Sequence, residues 1–434
     1  MGYRVYAGRI ERAEGAFREG SWVGFRWVDR VTLYDAAGDH IEGDVPGQVV
    51  LDPVLTQEKN QLNSFECSIP YEIETPFATI RNPVYDALKL RKSWVCVEED
   101  DKPIFVGRVT ELEKQFDRSW RVYAEGALGV MQDESWKLDP ATYTLTKARS
   151  ETSKWFDTYY ADTLFNQLFA LGRADCGLIC IGKVTVQNGK TVDTTDKGTQ
   201  IDTHWNLLNT LFLDEYDGYL RTRIETSGDV WRICVDYLLD IEETTQQAIY
   251  YGSNLLDLTY TEKIPNDFAT RITAYGSKTE SHGWWIWKKY STSAIVAVAK
   301  NDEAESKYGV VEKIVTVDGD TTEASLQETA DKQLKEYKQD VEPSLMIEAF
   351  DYKDTGRDLD RLQFLKKTHV VSEPHGVDGW YVCTKTALTL DAPDNKRYEY
   401  GLPPRKLTDQ QNANTTNQKT IKNQLRGVLS WLNK

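Results

Sequence analysis

Apolar residues in this chain recur mostly at every second position or in short unbroken runs, with turn-forming residues between them. That pattern predicts β-strands. It is densest between Ser93 and Trp136. There Trp94, Cys96 and Val97 lead into the acidic turn Glu98-Glu99-Asp100-Asp101-Lys102-Pro103, followed by Ile104 to Val109, a polar stretch, and Trp120 to Gly126. Ala127 to Asp133 then reads as a short helix. β-Branched and aromatic runs around turn residues predict an antiparallel meander. The acidic turn is expected to project into water as a solvated edge.

Before this stretch, Val31 to Tyr34 and Asn63 to Ile69 read as strands. In the latter, Phe65, Cys67 and Ile69 alternate with polar residues and predict one buried face. Val84, Ala87, Leu88 and Leu90 predict a helical turn. From residue 150 the pattern changes. Tyr159, Leu164, Leu168 and Phe169 have near-helical spacing, and Thr203 to Phe212 predicts a second helix with Thr203 as N-cap. Asn188-Gly189 predicts a tight hairpin between Val184–Gln187 and Thr191–Asp193. A second hairpin is expected around Thr226-Ser227-Gly228-Asp229. Strands resume from Ile249. Ser325 with Glu328 predicts a capping box for a helix running to Gln339, with Leu326, Ala330, Leu334 and Tyr337 on one stripe. A second meander is expected over residues 345–400.

These patterns predict a mainly β chain with an α+β insert. The expected divisions are a first β-barrel over 1–148, an inserted α+β domain over 149–248, a second β-barrel over 249–407 with a helix near 325–339, and a C-terminal linker and helix over 408–434. In the last segment Ile421, Leu425, Val428 and Leu432 are spaced as in a short heptad stripe, weakened by Gly427.

Length and composition narrow the function. At 434 residues the chain exceeds one core, and 40% hydrophobic content is enough to fill two or more. The formal charge of −16 argues against binding a nucleic-acid backbone; it suits a passage for DNA better than a binding site. No apolar run is long enough for a membrane span, and no stable membrane anchor is expected. The N-terminus lacks a signal-peptide core, and Tyr6 stands where a myristoylation motif needs Ser or Thr. Cysteines 67, 96, 176, 180, 234 and 383 are scattered within strand-like runs, as expected of reduced, buried thiols from a cytosolic folding environment.

Few residues offer chemistry. Gly182 and Gly189-Lys190-Thr191 have six residues between the glycines, where a phosphate loop has four. Cys176, Cys180 and His204 lack the spacing of a zinc site. Ser21 lies outside any nucleophile-elbow pattern, and His375 beside Asp378 has no nucleophile tied to it. Glu242-Glu243, like the acidic turn, is expected to be a solvated edge. No catalytic residue, metal site or cofactor is expected. The cluster Trp284, Trp285 and Trp287 is the one aromatic feature with the look of an interface or a sugar-stacking surface; core packing is the bland alternative.

Three places resemble the hub proteins at the distal end of phage tails, also called tail-associated or tail-tip proteins. Asp101-Lys102-Pro103-Ile104-Phe105-Val106-Gly107-Arg108-Val109 with Glu125-Gly126-Ala127-Leu128-Gly129-Val130-Met131-Gln132-Asp133 is similar to a hairpin of the first hub barrel. Phe268 to Gly276 resembles the strand opening the second, and Ala349-Phe350-Asp351, Thr368 to Gly376 and Tyr381 to Lys385 resemble its closing strands. The order and separation of these stretches are more specific than any one of them.

The resemblance implies a homotrimer whose two barrels per chain form a pseudo-sixfold ring. Such a ring adapts sixfold to threefold symmetry and closes the tail tube. The implied partners are a distal tail or tail tube protein above, receptor-binding or spike or fibre proteins below, and a tape-measure protein and DNA passing transiently through the lumen. Three copies at −16 each give −48, a field that limits sticking of DNA. The expected location is the virion tail tip. Many relatives continue into a peptidoglycan-cleaving or receptor-binding domain; this sequence shows no catalytic signature through Lys434, so a hub without its own enzyme is expected, its tail helix joining another chain or a trimeric stalk. The alternatives are a cell-wall or carbohydrate hydrolase and a receptor-binding adhesin.

Overall fold

The computed structural model describes residues 2–401 apart from 18–19, 37–39, 43–44, 47, 76, 147–162, 170–178, 187–188, 196–197, 217, 265–267, 283–288, 342–343, 358 and 393–395. The chain is mainly β, as its alternation predicts, and forms two compact units. The first comprises residues 1–259 and 346–401; the second is drawn from residues 260–345. The expected boundaries at 148/149 and 248/249 both lie inside the first unit.

One sheet dominates. Its strands run in the order Ile179–Val184, Val230–Leu238, Gly20–Asp35, Tyr3–Phe17, Trp94–Glu99, Lys102–Lys114, Trp120–Gly126, Ser64–Ile69, Leu51–Glu58, Val377–Thr389, Lys396–Gly401, Ser344–Ala349 and Leu255–Thr261. Among the described residues the path is open, with no pairing between its ends. The meander read from Ser93 to Gly126 is present. Its acidic turn is a two-residue hairpin, Glu99 opposite Lys102, with positive φ at Asp100 (49°) and Asp101 (62°). Aspartate tolerates this left-handed backbone, which matches the twist of the flanking strands. The second meander is present too: Lys367–Ser372 pairs with Val377–Thr389, which pairs with Lys396–Gly401. What the alternation pattern did not reveal is that the two meanders share one sheet. Val54, Thr56 and Glu58 lie opposite Thr389, Ala387 and Lys385.

The sheet carries its cores by alternation. Phe65, Cys67 and Ile69 are buried as read. Trp94–Glu99 is buried at every position, so both of its faces are covered. Next to it, Tyr6, Phe25, Trp27 and Trp231 form a cluster of edge-on rings, with Tyr6 to Trp27 centroids 5.2 Å apart. Gly24 sits where the N-terminal hairpin meets the Val230–Leu238 strand. A Cβ there would lie 2.2 Å from the Trp231 carbonyl oxygen, so only glycine admits this approach.

Two local expectations are corrected. Residues 83–91 form hydrogen-bonded turns rather than a helical turn. Thr191–Asp193 pairs with Thr142–Thr144, and Ile179–Val184 pairs in parallel with Val230–Leu238; among the described residues no pairing joins the two, and Asn188 lies outside those residues. Gly189 has a positive φ of 72°. The helix predicted from Thr203 is found over His204–Leu208 and continues with a wider π-type turn over Asn209–Leu213; Thr203 caps it by accepting the Asn206 amide at 3.2 Å. The hairpin around Gly228 is as expected. Of the helix expected after residue 155, Leu164–Phe169 is described.

The second unit is a three-stranded sheet with a helix on one face. Arg271–His282 is central, antiparallel to Lys289–Lys300 and parallel to Glu312–Asp320. Lys289–Lys300 brings the chain back to the end where Arg271 starts, and the short helix Asp302–Tyr308 links it to the parallel strand Glu312–Asp320. The helix Glu323–Glu336 lays Leu326, Ala330 and Leu334, the predicted stripe, on Ile272, Ala274, Ile295, Ala297 and Ala299. Small alanines on the sheet let the helix approach closely. The helix begins two residues before the predicted Ser325, because Thr322 is the N-cap and accepts the Ser325 amide at 3.2 Å. The box position N3 is then Ser325 itself, and Glu328 lies three positions beyond it, so no capping box forms.

Candidate functional site

The acidic turn, expected to be a solvated edge, is instead the centre of a partly buried ionic network in the first unit. Glu98 and Glu99 are buried, and Asp101 is the acid that stands well out in water. The N-terminal strand brings the first partners, because Tyr3 pairs with Glu99 and Arg4 with Glu98. Glu98 accepts the Tyr6 hydroxyl at 3.0 Å and lies 3.6 Å from Arg4, which also reaches Asp35 and Asp101 at 3.0 Å.

The remaining partners come from residues 351–363 and the last strand. Arg361 lies 3.3 Å from Glu99 and pairs with Asp354, which also pairs with Lys396. Gln363 donates to Glu99 at 3.3 Å, and Lys353 lies 3.1 Å from Asp100. The Arg361 and Lys396 cations stand 5.0 and 5.2 Å from the Tyr3 ring centre, in cation–π range. Asp351, wholly buried, holds the loop in place: it accepts from Gln247 at 2.8 Å and from the amides of Lys353 and Leu362 at 3.0 Å.

Electrostatics follow from this geometry. Burial pushes the Glu99 carboxyl up, and Arg361, Tyr3 and Gln363 pull it back only in part. Burial, with Glu99 beside it, pushes the Tyr3 phenol well up. Burial opposes the charge of Arg361, but Tyr3, Asp354 and Glu99 outweigh it and hold the guanidinium protonated. Every carboxylate here has a cation or donor against it. The arrangement therefore serves as a clamp between the start of the chain and residues 351–400, not as an acid–base pair.

A second network lies on the insert's strands. Asp236, fully buried, accepts from Arg221 at 3.0 and 3.1 Å, from Arg223 at 2.6 and 3.1 Å, and from the Lys183 amide at 2.7 Å. This explains Gly182: a Cβ there would meet the Asp236 carboxylate at 2.0 Å. The glycine makes room for a carboxylate rather than for a phosphate. Glu243, one of the two acids expected to be solvated, is more than half exposed and pairs with Arg221 at 2.6 Å.

The residues singled out in the sequence are dispersed. Trp284, Trp285 and Trp287, and the stripe Ile421, Leu425, Val428 and Leu432, lie outside the described residues, as does Cys176. Nothing is described of the Ser21 side chain. His204 is a satisfied core histidine, its Nδ1 2.8 Å from the Leu168 carbonyl and its ring stacked on Trp136. Cys180 faces Cys234 across parallel strands and is half-buried; the other described cysteines are buried, and all five are free thiols. Among the described residues no group of three or more His, Cys, Asp or Glu side chains is placed to hold a metal. His375 bonds Ser372 at 2.6 Å, and Asp378 pairs with His369 at 2.8 Å instead. The residues missed were Tyr3, Gln247, Asp351, Asp354, Arg361 and Lys396, which lie far from the acidic turn in sequence. One signal was available: the unbroken apolar run Trp94-Val95-Cys96-Val97 implies cover on both faces of the strand that ends in this turn.

A family model described as YQBQ-like matches residues 237–355, a span that takes in all of 260–345. No curated protein matches. Among solved structures, the chain is similar to a prophage tail protein from Listeria monocytogenes EGD-e (13% identity, 94% of this chain and 96% of that one, TM-score 0.47). It is similar to the 43 kDa tail protein of prophage MuSo2 from Shewanella oneidensis (11% identity, 92% and 97%, TM-score 0.48). It is likewise similar to a tail protein from Neisseria meningitidis MC58, with 14% identity over 92% of this chain and 96% of that one and a TM-score of 0.45.

Proposed function

We propose that this chain is a structural protein of a phage tail, a trimeric hub at the distal end that closes the tail tube and opens for DNA passage. One observation carries the reading. The two meanders with a sequence resemblance to hub barrels lie in one sheet, linked through Ser64–Ile69 and Leu51–Glu58, the latter paired with Val377–Thr389. A ring wall built from two similar parts per chain needs such a lateral junction. The buried clamp of Glu99, Arg361, Asp354 and Lys396 fastens the same halves a second time. In this reading the partners are a tail tube protein above and receptor-binding or spike proteins below, with tape-measure protein and DNA passing through. The acidic charge keeps DNA from adhering to the wall. In this reading the role is structural, and the cations held against the carboxylates of the acidic turn fit a clamp.

The test is the mass of the purified chain by sedimentation together with negative-stain images. Three copies in a ring with a central opening are expected. A monomer that forms no ring, alone or with its tail tube partner, overturns the hub.

A further inference from the structure

We propose that the outer face of the Lys367–Ser372 and Val377–Thr389 hairpin is a carbohydrate-binding subsite. It is centred on Trp380 and takes the flat face of a neutral hexose or N-acetylhexosamine ring. The inference is independent of the hub reading.

Trp380 is 56% exposed on a regular strand. Its indole is stacked on His369 at 5.2 Å and 19°, and His369 Nε2 lies 2.8 Å from the Asp378 carboxylate. Register explains the grouping: His369 is opposite Trp380, Val371 is opposite Asp378, and Tyr250 runs alongside Val371 in parallel. Thr368, Val370 and Ser372 point inward and are fully buried, so His369 and Val371 lie on the outer face. Tyr250 and Tyr251 are 45% and 57% exposed. Tyr251 meets the His375 ring edge-on at 5.8 Å, and His375 is itself fixed by Ser372 at 2.6 Å. Two exposed aromatic rings are thus each backed by a histidine, and each histidine is anchored by a hydrogen bond.

An indole left half in water forgoes part of its burial energy. Here it is also held rigid, so little side-chain entropy remains to be lost on binding. One indole face is backed by imidazole, and the rim carries a carboxylate, an imidazole and phenol hydroxyls. A pyranose fits that combination: its axial C–H groups meet the aromatic face, and its hydroxyls meet the Asp378 carboxylate and the tyrosine hydroxyls. A protein hot spot would instead need an apolar surround that excludes water. Asp378 is 74% exposed, and Glu373 stands exposed on the adjoining turn, so the face is negative and disfavours phosphate, sulfate or a nucleic-acid backbone.

The test uses the full chain, titrated with chitotetraose and cellotetraose while tryptophan fluorescence and heat are recorded, with a sulfated heparin tetrasaccharide as the charged comparison. Saturable binding of at least one neutral tetrasaccharide is expected, with none of the sulfated one. Trp380→Ala should weaken binding about tenfold or more, Asp378→Asn should weaken it less, and Trp380→Phe should retain part of it. Unchanged thermal melting of the Phe variant controls for folding. Three results would each overturn the subsite: neither neutral tetrasaccharide binds, Trp380→Ala binds as the parent does, or Trp380→Ala changes the sedimentation mass. The last would make this face a contact between copies of the chain.

Discussion

Arg361 carries the most consequence of any single residue in the ionic clamp. Its guanidinium is 5% exposed and faces Glu99, Asp354 and the Tyr3 ring at once. Arg361→Leu leaves two buried carboxylates with less compensation, and a loss of about 3–5 kcal/mol in urea unfolding is expected. Arg361→Lys should recover only part, because an ammonium cannot fork between two carboxylates. A loss below about 1 kcal/mol would put the network in the class of exposed pairs and remove its role as a clamp. Two carboxyls here should also give opposite pH dependences. Burial raises Glu99, so the folded state holds its proton more tightly than the unfolded chain. The stability from that group is complete below the ordinary glutamate range and is lost as pH rises through the raised value. Asp133 is pulled up by burial but held down more strongly by Arg108 and Arg91, at 2.6 and 2.7 Å. Its contribution is present above the ordinary aspartate range and is lost as pH falls through the lowered value. Stability measured against pH should therefore lose its acid-side decline in part with Asp133→Asn, and its decline on the higher-pH side of the carboxylate range with Glu99→Gln. The reverse pattern would contradict the assignments.

Among the elements, the helix Glu323–Glu336 gives the cleanest test of local chemistry. Thr322 accepts the Ser325 amide, and Glu323 adds a negative charge to the first turn. Thr322→Ala should cost about 0.5–2 kcal/mol, while Ser325→Ala should change stability far less. Equal effects would restore the sequence-based capping box. The sheet opposite sets a limit on this helix at Gly276, where a Cβ would stand 2.6 Å from the Thr321 methyl and 3.2 Å from Leu326. Strand pairing shows the opposite relation between local signal and outcome. Asn188-Gly189 is a strong turn signal, yet among the described residues Thr191–Asp193 pairs with Thr142–Thr144, with Val192 packed against the insert's core, and not with Ile179–Val184.

In the molecule as a whole, the second unit has its own core of Ile272, Ile295, Leu326, Ala330 and Leu334, so its stability can be altered by itself. Leu326→Ala should cost that core about 2–5 kcal/mol. Calorimetry of the full chain should then show one transition shifted down and the other in place; a single transition moving as a whole would mean that the units unfold together.

The sequence by itself determined the chain's mainly β class, both meanders, the hairpin at Gly228, the Thr203 cap and the buried stripe Leu326, Ala330 and Leu334. These rest on periods of two and of 3.6 residues and on caps and turns, which act over a few residues. Only the tertiary structure decided that the two meanders share one sheet, that Glu98 and Glu99 of the acidic turn are buried, and that Trp380 is stacked on a His369 held by Asp378. Each of these depends on which strands become neighbours. Glu99 and Arg361 are separated by more than 250 positions, and no local pattern marks either as the partner of the other. Burial of a charge is favourable only when the opposite charge arrives with it, so the place of the acidic turn is fixed by long-range strand order and not by its own composition.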